Sequence, residues 1–427
     1  MERIESSLWR RAVLAFSRTG ASDLSASMVL VLGLGFAQNL LLARVLGPAG
    51  MGHMAVIYSV MGIASLLGTA GLTSSILRYG AAAPGDASAW QVYRTGARVS
   101  GGVSIAVAGL VIAFSRSRLL VFDPDAGAWM AFVVWTLPVQ ALGACSVHFL
   151  QARGAMREKA LVDFFARLAT VIGVVSGAVA RGYEGAVVGY MAGSIVGGLL
   201  AIWRALTLRA PTHEPAWIST RELLRFGAWG LLTNALGLGL VTADLFCVSA
   251  LVKDAAQTGI YSLAGQIQQV VGIPTRAYLD ARFPEMTRLS EDPGALQRLW
   301  HRMRWHLAGV SAIGGLALGV VAPFALPIVF GHAFAASALP LSILLLGQVA
   351  RSIGDAPGRS MFAAGWVVAN FWLSLFSAIV TIAANLLLIP HFGIAGAALG
   401  TALANAMWAA AATLVCNHLH GTKRAAR

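Results

Sequence analysis

Charge is what this chain lacks. Asp, Glu, Lys and Arg together make up 11% of its 427 residues, against 57% hydrophobic, where an ordinary soluble domain carries roughly a quarter charged residues. A water-soluble fold of this length cannot hide that much apolar surface, so the soluble classes are excluded first. Lysine is almost missing, with Lys159, Lys253 and Lys423 standing beside 28 arginines. Acids are outnumbered, 18 to 31, which leaves a net charge of +13. Cysteine is confined to Cys145, Cys247 and Cys416, far apart in the sequence. Neither a disulfide framework nor a metal site is indicated by such spacing. No GxxxxGK[ST] occurs, so there is no built-in P-loop ATPase.

What the chain has instead is long apolar runs. A lipid-spanning helix needs about 20 mostly apolar residues, and twelve such runs follow one another: 24–46, 53–77, 96–115, 127–150, 161–180, 183–206, 223–251, 257–283, 304–330, 335–354, 361–390 and 394–418. Pro138, Pro274, Pro323 and Pro327 lie inside them, which membrane helices tolerate better than soluble ones. The expected fold is an all-α integral membrane protein of about twelve transmembrane helices.

The basic residues test that count. Of 31 Lys and Arg, 25 fall on one side: four in the N-terminal segment, then three, three, four, six and two in alternate loops, and three in the tail. Arg44, Arg116, Arg118, Arg181 and Lys253 fall on the other side, and Arg167 lies within a span. Positive residues remain cytoplasmic, so both termini are expected inside. Scattered over short loops, these charges suit anionic lipid headgroups and not nucleic acid. The first 18 residues, MERIESSLWRRAVLAFSR, mix Arg10, Arg11 and Arg18 with Trp9, Leu14 and Phe16 and read as an interfacial helix without a cleavable leader. His418 and His420 read as a solvated tail.

The sequence also repeats itself. GYEGAVVGYMAGSIVG begins at residue 182 and GIAGAALGTALANAMW at 393, with glycines in the same register. Each opens the last helix of a six-helix half, where small residues let helix backbones approach closely in lipid. LLARVLGPAGMGHMAVIYSV at 41–60 is echoed by CVSALVKDAAQTGIYSLAGQI at 247–267, Gly52 matching Gly259 once one residue is inserted. Both halves keep the same orientation, so the repeat is parallel. Two bundles related in this way enclose a cleft and rock to give alternating access. The linker 208–225 places an N-lobe at 1–212 and a C-lobe at 213–427.

These segments carry a resemblance. LLARVLGPAGMGHMAVIYSVMGIASLLGTAGLTSSILRYGA at 41–81, GIYSLAGQI, ARFPEMTRL and NLLLIPHFGIAGAALGTALA are together similar to the Wzx-type polysaccharide flippases of the multidrug/oligosaccharidyl-lipid/polysaccharide (MOP) exporter superfamily. The resemblance implies two six-helix lobes around a central cavity that moves a polyprenyl diphosphate-linked oligosaccharide across the bacterial inner membrane. Polysaccharide polymerase and export proteins are the protein partners it implies.

Such a cargo needs a wet, cationic groove, and arginine pairs with phosphate oxygens through a planar fork that stays charged. The candidates for the diphosphate and sugars are Arg78 in SSILRYG, Arg167 in the fifth run, and Arg276 and Arg282 in GIPTRAYLDARFPEM. A charge deep in a span costs about 2.5–3.5 kcal/mol on the translocon scale, which favours Arg167 and Arg276. The family pattern, with cations on the second and eighth helices, raises Arg78, Arg276 and Arg282. Arg351, near a helix end beside Asp355, reads as a headgroup-snorkelling residue. Asp244, isolated in LVTADLFCVS, has two readings of equal weight: a carrier of a coupling H+ or Na+, or a polar contact to the other lobe. No other cofactor and no metal site is expected.

Four alternatives stay open. A drug or cation exporter of the same superfamily would line its cavity with more acid than base. A lipid II-type flippase is expected to have fourteen helices. A membrane enzyme, such as a polymerase, needs a catalytic loop outside the bilayer with paired acids or a base, and every outward loop here is short. A structural subunit of polysaccharide assembly has no use for arginines inside its spans.

Overall fold

The computed structural model describes residues 21–115, 124–209 and 218–425. The expected interfacial helix over the first 18 residues lies outside them. Among the described residues the chain forms no strand, three short 3₁₀ helices and eleven α-helices. They are α1 (Ala21–Gly68), α2 (Leu72–Ala81), α3 (Asp86–Ser115), α4 (Pro124–Val133), α5 (Leu137–Ala152), α6 (Met156–Thr207), α7 (Thr220–Val252), α8 (Ala255–Arg288), α9 (Pro293–Phe330), α10 (Ala338–Ala363) and α11 (Val367–Ala425).

These helices contain the twelve spans. Helix α1 breaks at Gly47, α6 at Arg181–Gly182 and α11 at Gly393, so each supplies two. A 3₁₀ turn at Val134–Thr136 joins α4 to α5 as one span. Among the described residues, seven helical stretches, three of them running through these breaks, are long and apolar enough to cross a membrane. Helix α8 is not among them, because Gln266, Gln268, Gln269, Arg276 and Arg282 make it polar.

The breaks recur in register. Gly182 has φ 59° and ψ −138°, and Gly393 has φ 56° and ψ −136°. Gly154 and Gly365 carry φ 71° and 81° at the preceding turn of each half. Gly47 and Lys253 take φ 65° and 54° between the first two spans of each half. Positive φ crowds a Cβ against the following carbonyl, so glycine is the usual occupant. Ala70, with φ 49°, and Lys253 are the exceptions among the described residues, and at Lys253 the next residue compensates: the Asp254 carboxylate accepts from the Ala256 and Gln257 amides at 2.9 and 3.4 Å, capping α8.

By internal contact the chain falls into two compact units. The first holds the residues up to Leu46 together with Val60–Ala235, and the second holds Gly47–Ser59 together with Leu236 onward. This division differs from the linker boundary at 212/213, and close packing explains why. The start of α7 packs on α2: a Cβ on Gly71 would collide with the Gly227 carbonyl, the Ser75 hydroxyl donates to the Leu223 carbonyl at 2.8 Å, and Arg78 lies 4.5 Å above the Phe226 ring. In the second unit, a Cβ on Gly52 would collide with the Ala255 carbonyl, and one on Gly259 with the Pro48 carbonyl. The glycines that match in the two halves of the sequence therefore meet backbone to backbone.

Each unit has its own core. In the first, Tyr93 stacks on Phe149 with ring centroids 4.7 Å apart beside Trp90, Cys145 and Ala205. In the second, Trp300, Met303, Met361 and Trp408 cluster with Ala412 and Cys416. His420 is fully buried against Cys416 and Trp366, so this part of the C-terminal tail is packed core and not a solvated end. Outward faces are apolar too: on α9, Ile313, Leu316, Phe324 and Ile328 are each more than 70% exposed. A stripe of that kind faces hydrocarbon.

Candidate binding cavities

Both units contain a cavity, and the two differ in chemistry. The cavity of the second unit, about 660 Å³, is walled by α7, α8, α10, both halves of α11 and the second half of α1. Helix α10 contributes Gln348, Arg351, Asp355 and Arg359, whose spacing of three and four places them on one face. Arg351 donates through Nε to Asp355 Oδ1 at 3.0 Å and lies 5.2 Å from the Trp408 ring. Arg359 lies 5.3 Å from the Phe283 ring. The indole seats closely because α10 offers Gly354 and Gly358, where a Cβ would stand 2.8 and 3.2 Å from its ring atoms.

Helix α8 supplies the facing polar wall. Gln268 donates to Gln348 Oε1 at 2.5 Å, and Gly272 leaves room for the Arg276 guanidinium and the Gln348 amide, 3.1 and 3.3 Å from where its Cβ would be. Gln266 Oε1 is buried with no hydrogen-bond partner among the described residues. The cavity thus gathers Arg276, Arg351 and Arg359 against the two carboxylates Asp244 and Asp355, one of which Arg351 already holds.

Asp244 is buried at the edge of this cavity. Its carboxylate accepts from Thr401 Oγ1 at 2.6 Å, Asn385 Nδ2 at 3.3 Å and the Tyr261 hydroxyl at 3.3 Å. All three donors belong to the same unit as Asp244, and no ion pair reaches it among the described residues. The small-residue repeat builds this site. A Cβ on Gly400 would strike Asn385 Oδ1, so the glycine is what admits the asparagine.

The cavity of the first unit, about 610 Å³, is walled by α1, α5 and both halves of α6. Gly143, Gly193, Gly197 and Gly198 form much of its surface, and Gln140, Asp163, Arg167, Thr170 and Ser194 give it polarity. The Arg167 guanidinium lies against α1, 2.9 Å from where a Cβ on Gly35 would be.

Residues 18–290 match the model of the polysaccharide biosynthesis protein family. The chain belongs to that family. It is 23% identical over 390 residues to the lipopolysaccharide biosynthesis protein WzxC of Escherichia coli K12, covering 90% of this chain and 77% of that one. It is 25% identical over 182 residues to the amylovoran biosynthesis protein AmsL of Erwinia amylovora, covering 42% of this chain. That match spans about half of AmsL, 47% of its length.

Among solved structures it is similar to the lipid II flippase MurJ in an inward-closed conformation, with TM-score 0.77, 14% identity, and 92% of this chain and 87% of that chain covered. It is equally similar to an inward-facing MATE-family multidrug transporter of the MOP superfamily, with TM-score 0.77, 14% identity, and 92% and 95% covered. The fold is therefore the two-lobe, twelve-helix fold of that superfamily, in a multi-pass membrane protein whose relatives by fold are transporters and not enzymes.

The four arginines expected at the substrate site part company in the structure. Arg276 lines the second unit's cavity and Arg167 the first unit's. Arg78 lines neither; it is exposed and stacks between Phe226 and Tyr79. Arg282 is exposed and bound to Glu285 at 2.6 Å. Two cavity arginines were not among the candidates. Arg351, which reads in the sequence as a snorkelling residue, sits on the cavity wall, as does Arg359, which lies beyond the tenth apolar run. The apolar run stops at 354, whereas α10 continues to Ala363. The readable signal was the four-residue spacing of 351, 355 and 359.

Proposed function

We propose that this protein is a polysaccharide-biosynthesis flippase that carries a polyprenyl diphosphate-linked oligosaccharide across the bacterial inner membrane by alternating access, with both termini cytoplasmic. The observation that carries the reading is the gathering of Arg276, Arg351 and Arg359 in one cavity of a membrane-spanning unit. Three planar cations in one cavity offset the cost of taking a diphosphate out of water, which is several kcal/mol per ion after relaxation. The amides of Gln266, Gln268, Asn370 and Asn405 in the same lining match sugar hydroxyls. The lipid tail stays in the bilayer, so the protein shelters only the head. Polysaccharide polymerase and export proteins are the partners this role implies.

We assign Asp244 the coupling ion, H+ or Na+. Thr401 and Asn385 bring further oxygen atoms to its carboxylate, and a cavity-lining acid with no cation paired to it has charge to exchange. Its set of neighbours within one unit supports this role over a contact to the other lobe. The preponderance of arginine disfavours a drug or cation exporter, which needs acid in excess.

The test is transport of a fluorescent polyprenyl diphosphate-linked sugar by purified protein in vesicles. Arg276→Ala abolishes transport while insertion and elution profile stay those of the wild type. Full activity of this variant, or transport of organic cations in place of the lipid, overturns the assignment.

A further inference from the structure

The function just proposed uses the cations of the second unit's cavity and leaves an acid there without a task. Asp355 lines that cavity one turn of α10 beyond Arg351. A carboxylate on this wall repels a bound diphosphate, so it works against the cargo unless it does something for the empty carrier.

The contact between the two side chains is built to open. Arg351 donates to Asp355 Oδ1 through Nε alone, at 3.0 Å, and its two terminal nitrogens donate to no described residue. The planar fork that grips two oxygens at once is therefore unspent. Asp355 Oδ2 accepts from no described residue either, so one hydrogen bond holds the pair. The order along the helix is the weaker one, because an acid placed N-terminal to a base at this spacing is favoured over the reverse. The Arg351 and Asp355 side chains are 33% and 21% exposed, which keeps the strength of the pair modest. On the other side of Arg351, Trp408 stands with its ring 5.2 Å from the guanidinium. Its indole N–H is buried with no acceptor among the described residues. Donors outnumber acceptors at this corner of the cavity, and a group with several oxygens is what it lacks.

We propose that Asp355 is the resident counter-anion of Arg351: it holds the guanidinium in the empty carrier, yields it to the diphosphate on loading and takes it back on release. Asp355 is a positioning residue that acts through Arg351 and sets how tightly the cargo is held. Exchange of one anion for another leaves Arg351 compensated in both states, which a cation taken partly out of water requires. The inference rests on the transport reading above, because it takes the diphosphate-linked lipid as the cargo.

The experiment measures binding and transport of a fluorescent polyprenyl diphosphate-linked sugar by the full chain, in detergent and in vesicles. Asp355→Asn is expected to bind this lipid about fivefold more tightly than the wild type and to turn over more slowly at saturation, so that KM and kcat fall together. Asp355→Glu keeps both near their wild-type values. Arg351→Gln weakens binding, and adding Asp355→Asn to it changes the affinity no further, since the acid acts only through that guanidinium. Asp355→Ser follows Asp355→Asn and serves should the latter fail to fold. Unchanged or weaker binding in Asp355→Asn and Asp355→Ser, undiminished turnover in them, or equal tightening in the Arg351→Gln background would each overturn the inference and leave the transport reading standing. Failure of the wild type to bind the lipid at all would overturn both.

Discussion

The two halves of the repeat use one backbone for different ends. After the break at Gly182, a Cβ on Gly185 would collide with the Gly177 carbonyl and one on Gly189 with the Gly173 carbonyl. The pairing is glycine on glycine, and it does nothing but bring two helices together. After the break at Gly393, a Cβ on Gly396 would collide with the Leu388 carbonyl, as in the first half, but at Gly400 the neighbour is the Asn385 side chain. One step of the same ruler has been given over to a polar group that reaches Asp244. The scaffold is common to both halves, and the chemistry is local to one.

If the scaffold is common, it should fail in both halves alike. Gly185→Leu and Gly396→Leu each force a side chain into a neighbouring backbone, with a cost of about 3 kcal/mol or more where neither helix can withdraw. The expected outcome for both is loss of monodisperse protein on size-exclusion chromatography. Tolerance of one and not the other would show that the match is one of sequence and not of packing.

The chemistry, by contrast, should fail in one half only. Arg359→Ala is expected to slow lipid transport about tenfold or more, the loss of one charge-assisted contact. Arg78→Ala, exposed and stacked in the first unit, changes transport by no more than about twofold. The reverse ranking would move the substrate site to the first unit. Asp244→Asn has a smaller effect on the downhill rate and a specific one on coupling. Its transport should no longer respond to an imposed proton or sodium gradient, whereas a retained response would leave Asp244 a structural role alone.

How much of this was legible depends on which force set each feature. Lipid as solvent acts on every span, so the twelve-span, two-half plan is legible in composition and in the spacing of the apolar runs. The glycine ruler was legible because close backbone approach admits no other residue. The site was only half legible. Arg276 and Asp244 stand out because a charge deep in an apolar run is costly and draws the eye to whatever it serves. Arg351 and Arg359 were hidden by the opposite circumstance: hydropathy fades where a helix turns polar toward a cavity, so α10 was read as ending nine residues before Ala363. The same fading makes α8 the least apolar span and the one richest in cavity residues. Separation of Arg167 from Arg276 was not legible at all, since it depends on which helices pack together within each unit and not on any local pattern.

The smallest expected effect tests the repeat at its least regular position. Gly47 and Lys253 occupy equivalent turns, with φ 65° and 54°, yet only one is glycine. Gly47 combines its positive φ with ψ −173°, a region that side-chain-bearing residues enter at a cost of about 1–3 kcal/mol. Lys253 in the left-handed region costs roughly 1–2 kcal/mol, offset in part by the Asp254 cap on α8 and by the smaller entropy lysine loses on folding compared with glycine, about 0.5–1 kcal/mol. Gly47→Ala should therefore lower the apparent melting temperature by several degrees, and Lys253→Gly should raise it by a degree or two, both measured in one detergent at one scan rate. Since Lys253 forms no ion pair among the described residues, its replacement removes little besides strain. Destabilisation by Lys253→Gly would mean that this turn is held by its side chain, and that the two halves reach the same bend by different means.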